Sequence, residues 1–340
     1  MEQFVAQLAI ALSCAVLLAS QVGGGERPIV IAHRGASGYL PEHTLAAKAL
    51  AHGMGADYLE QDVVLTKDNV PVVLHDVQLD VVTNVADQFP NRAREDGKYY
   101  AIDLTLNEIK TLQVNERIDL KTGKAVYPTR FPIGKSGFQI STLTEEIEFI
   151  QGLNKSTGRN VGIYVEIKSP AWHRRQGRDI SRIVLSVLDA FEYRTKQDRA
   201  YVQCFDAAET RRIREELESK LKLVQLIGDN SWDEAPTDFD ELRTLAGIKR
   251  IAQYADGIGP WTPQICDGRD ASGKPALSNL AQLAHDHGLE VHPFTFRADS
   301  LPDYVESFDE LLHIFVDDAK VDGLFTDFPD RAVRMLTDSN

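Results

Sequence analysis

The sequence is poor in cysteine, tryptophan and methionine, with three of each in 340 residues. Three cysteines are too few for a disulfide-stapled scaffold. Positive charge is also short: 37 Lys and Arg against 51 Asp and Glu leave a formal charge of −14. That balance argues against a general nucleic-acid binder and does not favour anionic membrane surfaces. It does not exclude an anionic substrate, because a local arginine or a metal overrides the global sign. Past the first 25 residues, no apolar run reaches the roughly 18 residues that a membrane span needs. Internal repeats and low-complexity tracts are absent. So are a G-x-S-x-G nucleophile elbow, a thiolate set and an H-x-x-x-H zinc pattern. What remains is an ordinary globular mixture, 43% hydrophobic and 26% charged. It is large enough for one α/β barrel or two modest domains.

The N-terminus differs from the rest. No charged residue occurs between Gln3 and Gly25, and Leu8 to Ala19 is apolar apart from Ser13. This run is short for a span and fits the apolar region of a cleaved signal peptide over residues 1–25, with small residues after it. The start, Met1-Glu2-Gln3, lacks the usual Lys or Arg. An uncleaved leader would instead anchor the protein to the membrane. The expected mature chain, 26–340, keeps Cys204 and Cys266, and nothing local decides whether they are bridged.

Short β-branched runs then alternate with helical stretches. Strands are expected at Pro28–His33, Ala56–Asp62, Val161–Ile167, Ala200–Cys204, Leu221–Ile227, Asp256–Gly259, Leu289–Phe294 and Asp322–Thr326. Helical periodicity lies between them, as in Arg182–Phe191, Ala207–Leu217 and Leu280–His287. Apolar, little-alternating strands separated by helices predict a parallel sheet with helices outside, and eight of them fit a closed α/β barrel. A ninth run, Pro71–His75, follows Asp62 by only about eight residues, too few for a crossover helix. It is expected to return as a hairpin turning at Lys67-Asp68-Asn69, bringing His75 near Asp62. Residues of about 78–140 read as an insertion over the active face without a clear core of its own. Thr105-Leu-Asn-Glu108 and Thr142-Leu-Thr-Glu145 read as capping boxes.

Three clusters carry chemistry. His33-Arg34 closes the first strand, with Glu42-His43 just beyond. Glu60 and Asp62 lie two apart on the second strand, so both project to one side, and the hairpin ends in His75-Asp76. Glu166-Ile167-Lys168 ends the next strand of the cylinder, at the face where barrel enzymes place catalysis. A single glutamate at a strand end is commonly a surface residue. Three carboxylates converging at a barrel mouth repel one another, and a hard divalent cation, Mg²⁺ or Ca²⁺, relieves that repulsion. His33 and His75 are candidates for the acid and the base, and Arg34 can fork onto a phosphate. The set points to phosphoryl-oxygen chemistry, with both histidines expected to titrate within reach of neutrality.

The segments His33 to Thr44 (H-R-G-A-S-G-Y-L-P-E-H-T), Leu59 to Asp62 (L-E-Q-D), Val72 to Asp76 (V-V-L-H-D), Glu166 to Lys168 (E-I-K) and Asp322 to Pro329 (D-G-L-F-T-D-F-P) together resemble the glycerophosphodiester phosphodiesterase family. The chain is especially similar to its bacterial periplasmic branch, including Tyr100 to Lys110 (Y-A-I-D-L-T-L-N-E-I-K). The resemblance implies a TIM barrel with an inserted segment after the hairpin that follows strand 2. It implies one divalent cation held by Glu60, Asp62 and Glu166, calcium in that branch and magnesium in other members. His33 and His75 match the family's acid/base pair, Arg34 its phosphate contact, and Glu42 and Lys168 further polar positions around the substrate. His43 stands where the commoner family form has Asn, and the periplasmic branch shares the histidine.

The implied reaction is hydrolysis of deacylated phospholipid head groups to sn-glycerol 3-phosphate and an alcohol, in a periplasmic or otherwise exported protein. The expected partner is a small glycerophosphodiester. Neither nucleic acid nor membrane insertion of the mature domain is expected, and a homodimer stays open. Which histidine is the acid, and whether water or the glycerol 2-hydroxyl attacks first, also stays open. Two other readings are a phospholipase-type enzyme on intact lipids and a barrel that only binds a glycerophosphodiester.

Overall fold

The computed structural model describes residues 27–338. The expected leader, with Cys14 and Gly23 to Gly25, lies outside the described residues. The first half contains β1 (Ile29–Ala32), α1 (Leu45–Gly53), β2 (Tyr58–Leu65), β3 (Pro71–Val73), α2 (Val85–Gln88), α3 (Leu106–Ile109) and α4 (Leu143–Thr157). Next come β4 (Gly162–Ile167), α5 (Pro170–Arg175), α6 (Ile180–Ala190), β5 (Ala200–Cys204), α7 (Ala207–Glu215) and β6 (Lys222–Ile227). The last part holds α8 (Phe239–Leu242), α9 (Leu245–Ile251), β7 (Gly257–Pro260), β8 (Cys266–Arg269), β9 (Pro275–Leu277), α10 (Leu280–His285), β10 (Glu290–Val291), α11 (Phe308–His313), β11 (Gly323–Thr326) and α12 (Pro329–Asp338).

Strands pair in the order β10, β7, β6, β5, β4, β2, β1, β11, all parallel, and β3 returns antiparallel on β2. All eight residues of β2 are buried, as are all of β4 and β5. Strands packed on both faces read as continuous apolar runs for this reason. Closure is irregular. Of the expected Leu289–Phe294 strand only Glu290–Val291 is regular, because Pro293 has no N–H to give the ladder. The chain nonetheless bonds to both neighbours: His292 N–H reaches the Ile258 carbonyl at 2.9 Å, and Phe325 N–H reaches the Pro293 carbonyl at 3.1 Å. Phe296 N–H then donates to the Phe325 carbonyl at 2.8 Å, and the eight strands form the TIM barrel.

Three aspartates that each stand just before a strand hold the lower rim. Asp57, Asp256 and Asp322 accept from the backbone N–H of Val30, Leu223 and Val291 at 2.8, 2.9 and 2.8 Å. Each ties its own strand to the preceding one round the barrel. Above them the floor of the barrel is aromatic. Tyr164 stacks on Tyr201 with centroids 4.6 Å apart, and Tyr58 meets Tyr201 edge-on at 5.1 Å. Gly162 leaves room for this, since a Cβ there would stand 2.3 Å from the Tyr58 ring.

The hairpin turns at Lys67-Asp68-Asn69, with Asn69 left-handed (φ 62°). Thr105 and Thr142 each form the expected reciprocal cap. The insertion departs from expectation in one respect. Leu79, Val82, Val85, Tyr99, Leu104, Ile109, Leu112 and Val114 form a separate apolar cluster, and it includes Val64, Val72 and Leu74 of the hairpin. The insertion therefore has a core, but one completed by β2 and β3. Cys204 and Cys266 are free thiols, both buried.

Candidate active site

The mouth of the barrel brings together all eight residues expected from sequence. Glu60, Asp62 and Glu166 are 3%, 1% and 5% exposed, and one oxygen from each lies within 4.8 Å of the others. Asp62 and Glu166 face each other in the β2–β4 register, and Glu60 is two residues back on β2, so pleating alone sets the cluster. Glu60 is oriented by Gln203 Nε2 at 3.0 Å and by the backbone N–H of Arg34 at 2.8 Å. Asp62 accepts from His43 Nε2 at 2.8 Å on one oxygen, while its buried Oδ1 has no hydrogen-bond partner. An orphaned carboxylate oxygen, inside an all-oxygen donor set, is what a hard divalent cation fits.

Each histidine is held by an aspartate. His33 Nδ1 lies 2.5 Å from Asp327 Oδ1, and His75 Nδ1 lies 2.8 Å from Asp76 Oδ1. Carboxylates only accept, so both Nδ1 atoms carry hydrogen and both Nε2 atoms are left as acceptors. His33 Nε2 is 3.9 Å from Glu60, and His75 Nε2 is 3.5 Å from Lys168 Nζ, so both look into one cavity of about 310 Å³. His75 arrives there because Leu74 N–H bonds the Asp62 carbonyl at 2.8 Å, the hairpin's return.

Arg34 stands between the histidines. Its left-handed backbone (φ 58°) followed by Gly35 (φ 86°) makes a sharp turn that aims its N–H at Glu60. Its guanidinium meets both oxygens of Glu42 at 3.1 Å. Lys168 lies 2.7 Å from Glu166 and 3.1 Å from Glu234. The insertion contributes two arginines that sequence reasoning did not single out. Arg117 forks onto Glu42 at 2.7 and 2.9 Å and reaches Asp76 at 2.8 Å. Arg130 meets Asp327 at 2.7 Å, and Arg297 meets the same oxygen at 2.9 Å.

Beneath the mouth lies a buried pair, also missed. Lys48 on α1 and Glu146 on α4 are both fully buried and 3.0 Å apart. Lys48 also donates to the Glu60 carbonyl and lies 3.4 Å from His43 Nδ1. An ammonium only donates, so His43 must accept on Nδ1 and donate from Nε2 to Asp62. The histidine's tautomer is thus set by a lysine five residues on.

Electrostatics separate these groups. Burial and then the Asp62 charge push Glu60 well up, and burial pushes Glu166 to about 8 despite Lys168. Burial also opposes the charge on Asp62, yet His43, His75 and Lys168 hold it well below the usual carboxylate range. Both histidines differ from the expectation of near-neutral titration. Burial and the Arg34 charge lower His33 to about 3, and burial, Arg34 and Lys168 lower His75 to about 4. With the cavity free of ligand both are neutral at pH 7, and both are bases.

The cavity has a second wall. Opposite the charged groups stand Phe205, Trp232, Trp261 and Phe294, from the segments that follow β5, β6, β7 and β10. A smaller cavity of about 140 Å³, between the barrel mouth and the insertion, is lined by Glu42, Glu116, Arg117, Tyr127 and Arg130 and opens on the same histidines. Of the residues missed, Asp327 lay inside a segment already singled out. The two insertion arginines had no local signal.

The chain is similar to known proteins over most of its length. The profile of the "Glycerophosphoryl diester phosphodiesterase family" matches residues 33–331. The chain is 44% identical over 329 residues to a glycerophosphodiester phosphodiesterase from Haemophilus influenzae, covering 91% of this chain and 89% of that protein. A crystal structure from Silicibacter pomeroyi superposes with a TM-score of 0.69 at 24% identity, over 93% of this chain and 95% of the other. An Oleispira antarctica phosphodiesterase, solved with the product sn-glycerol-3-phosphate, gives a TM-score of 0.60 at 20% identity, over 92% and 97% of the two chains.

Proposed function

This chain belongs to the glycerophosphoryl diester phosphodiesterase family, and from that premise we propose that it hydrolyses glycerophosphodiesters to sn-glycerol 3-phosphate and an alcohol. The observation that carries the mechanism is the pair of Asp-held histidines, Asp327–His33 and Asp76–His75, whose Nε2 atoms face one cavity beside Arg34. Glu60, Asp62 and Glu166 would hold one divalent cation, with Ca²⁺ favoured and Mg²⁺ the alternative. Bound there, it would draw electron density from a nonbridging phosphoryl oxygen.

The protein's own groups do the rest. Arg34 binds the phosphoryl oxygens, with Glu42 fixing its fork and Arg117 fixing Glu42. Lys168 offers a further cation on the Glu166 side. One histidine takes the proton of the attacking hydroxyl as its oxygen bonds to phosphorus. The other returns a proton to the alcohol as the opposite P–O bond breaks. The neutral state of both suits the base directly. The acid gains its proton when the anionic diester enters and offsets the Arg34 charge that lowers it.

The test is release of glycerol 3-phosphate from glycerophosphocholine with Ca²⁺, with Mg²⁺ and after EDTA, beside calorimetric titration of the chelated protein with each ion. Release that needs the cation is expected. No release with either ion overturns the reading, and full release after chelation overturns its cation part. Products formed in ¹⁸O water separate direct attack by water from a cyclic phosphate made by the glycerol 2-hydroxyl. We also propose that the leader directs export; N-terminal sequencing of the cell-derived protein should start near residue 26, and an intact Met1 in a cytosolic fraction would refute it.

A further inference from the structure

The aromatic wall is larger than barrel packing requires. Trp232 and Trp261 meet at 66° with centroids 5.1 Å apart, and Phe205 and Phe294 at 88° and 5.7 Å. Trp232 also lies 6.5 Å from Phe294, so the four rings form a cornered surface and not a stack. Trp232 is 42% exposed, which for an indole gives up burial unless something covers it. The backbone makes room for this placement: a Cβ on Gly228 would stand 2.9 Å from the Trp232 ring and 3.2 Å from Phe205. Glu234, two residues on, brings a carboxylate to the same cavity, and it is shared with Lys168.

The two cavities that meet at Arg34 differ in chemistry. The smaller one is polar, and its arginines are already matched: Arg117 by Glu42 and Asp76, Arg130 by Asp299 and Asp327. Ser37 and Tyr127 also line it, and Glu116 brings a buried Oε2 without a hydrogen-bond partner. That suits an uncharged diol and leaves no free cation for a second anion. The aromatic side offers ring faces and a carboxylate and few hydrogen-bond acceptors. A primary ammonium or a polyol would lose hydrogen bonds to water there. A quaternary ammonium has no N–H to satisfy and is attracted by ring faces.

We infer that Phe205, Trp232, Trp261 and Phe294, with Glu234 at their edge, form the subsite for the departing alcohol and select a quaternary ammonium head group such as choline. The glycerol arm of the diester then lies toward Glu116. That the alcohol departs rests on the phosphodiesterase reading, while the binding of the cation by the wall stands on its own.

Two measurements separate them. The first is kcat/KM for glycerophosphocholine, glycerophosphoethanolamine and glycerophosphoglycerol, with the unaltered chain, Trp232→Leu and Glu234→Gln. The choline ester should be preferred through KM, and Trp232→Leu should raise its KM roughly tenfold while the glycerol ester loses less than about threefold. The second is quenching of tryptophan fluorescence by tetramethylammonium, without turnover, reduced in Trp261→Leu. Equal loss on all three esters, or no choline preference in the unaltered chain, overturns the subsite and leaves the hydrolytic reading standing. No turnover of any ester, with saturable quenching by tetramethylammonium, overturns the hydrolytic reading and keeps the quaternary-ammonium wall.

Discussion

The two ends of this barrel bury similar groups to opposite ends. At the floor, Tyr164 OH pairs with His292 Nδ1 at 2.9 Å, Tyr201 OH donates to Glu290 at 2.7 Å, and Lys222 meets Glu290 at 2.7 Å. These charges and hydroxyls have partners there, as a structure built for stability requires. At the mouth, three carboxylates crowd together, Asp62 Oδ1 has no partner, and burial raises Glu60 and Glu166 well above the usual carboxylate range. The mouth leaves a buried carboxylate oxygen without a hydrogen-bond partner, while Tyr164, Tyr201 and Lys222 at the floor are each paired. In a barrel with its chemistry at the C-terminal face, this is the expected division of labour.

Substitutions should divide the same way, with mouth variants losing activity and floor variants losing stability. The largest effect is expected for Glu60→Gln: turnover falls roughly 10³-fold, the several kcal/mol that such a cation supplies, and calorimetric cation binding is lost. Its metal-free melting temperature should hold or rise, since an amide there carries none of the cost of burying a carboxyl beside Asp62 and Glu166. A clear drop in melting temperature would blur the comparison. Lys48→Met tests the layer between the ends. Leaving Glu146 buried and unpaired should cost about 3 kcal/mol in urea unfolding, the low end for a broken buried pair, and should weaken cation binding through His43.

His33→Ala and His75→Ala should each lower turnover at least about 10²-fold, the low end for acid/base groups, with folding little changed. Less than threefold in both would remove the acid/base assignment. At the floor, Tyr164→Phe leaves His292 without its partner and should cost on the order of 1–2 kcal/mol of stability, with kcat/KM unchanged within twofold. The smallest effect is a pH dependence. Burial, then the neighbouring Glu42 charge, raise Glu116 from 4.5 to about 7. The folded state therefore keeps a proton that the unfolded chain has released. That contribution to stability is full below about pH 4.5 and declines as pH rises toward 7. The loss should be on the order of 1 kcal/mol, because water in the open cavity screens the charge, and Glu116→Gln should abolish it.

The same division explains what could be read in advance. Glu60 and Asp62 were legible because a strand has a period of two, and Glu166 because a neighbouring strand ends beside them. His33 and Arg34 stood where a strand stops, and His75 where a short hairpin had to return. The seventh barrel strand was found but read too long, because Pro293 interrupts its ladder. The insertion was seen as a segment, but its core was not, since that core is completed by Val64, Val72 and Leu74 of the hairpin. Arg117, Arg130 and Arg297 carried no signal, because nothing in the surrounding sequence says which carboxylate each will meet.

The sequence alone determined the (β/α)8 architecture, the carboxylate cluster and the two histidines, since these depend on periodicity and on order along the chain. Only the tertiary structure decided how those groups are held and what lies opposite them. Lys48 finds Glu146 across two helices, and an aspartate far along the chain orients His33. Four rings from four strand-end segments make one wall. Each of these depends on closing the cylinder, which brings residues far apart in sequence within contact distance and excludes the water that would otherwise partner them.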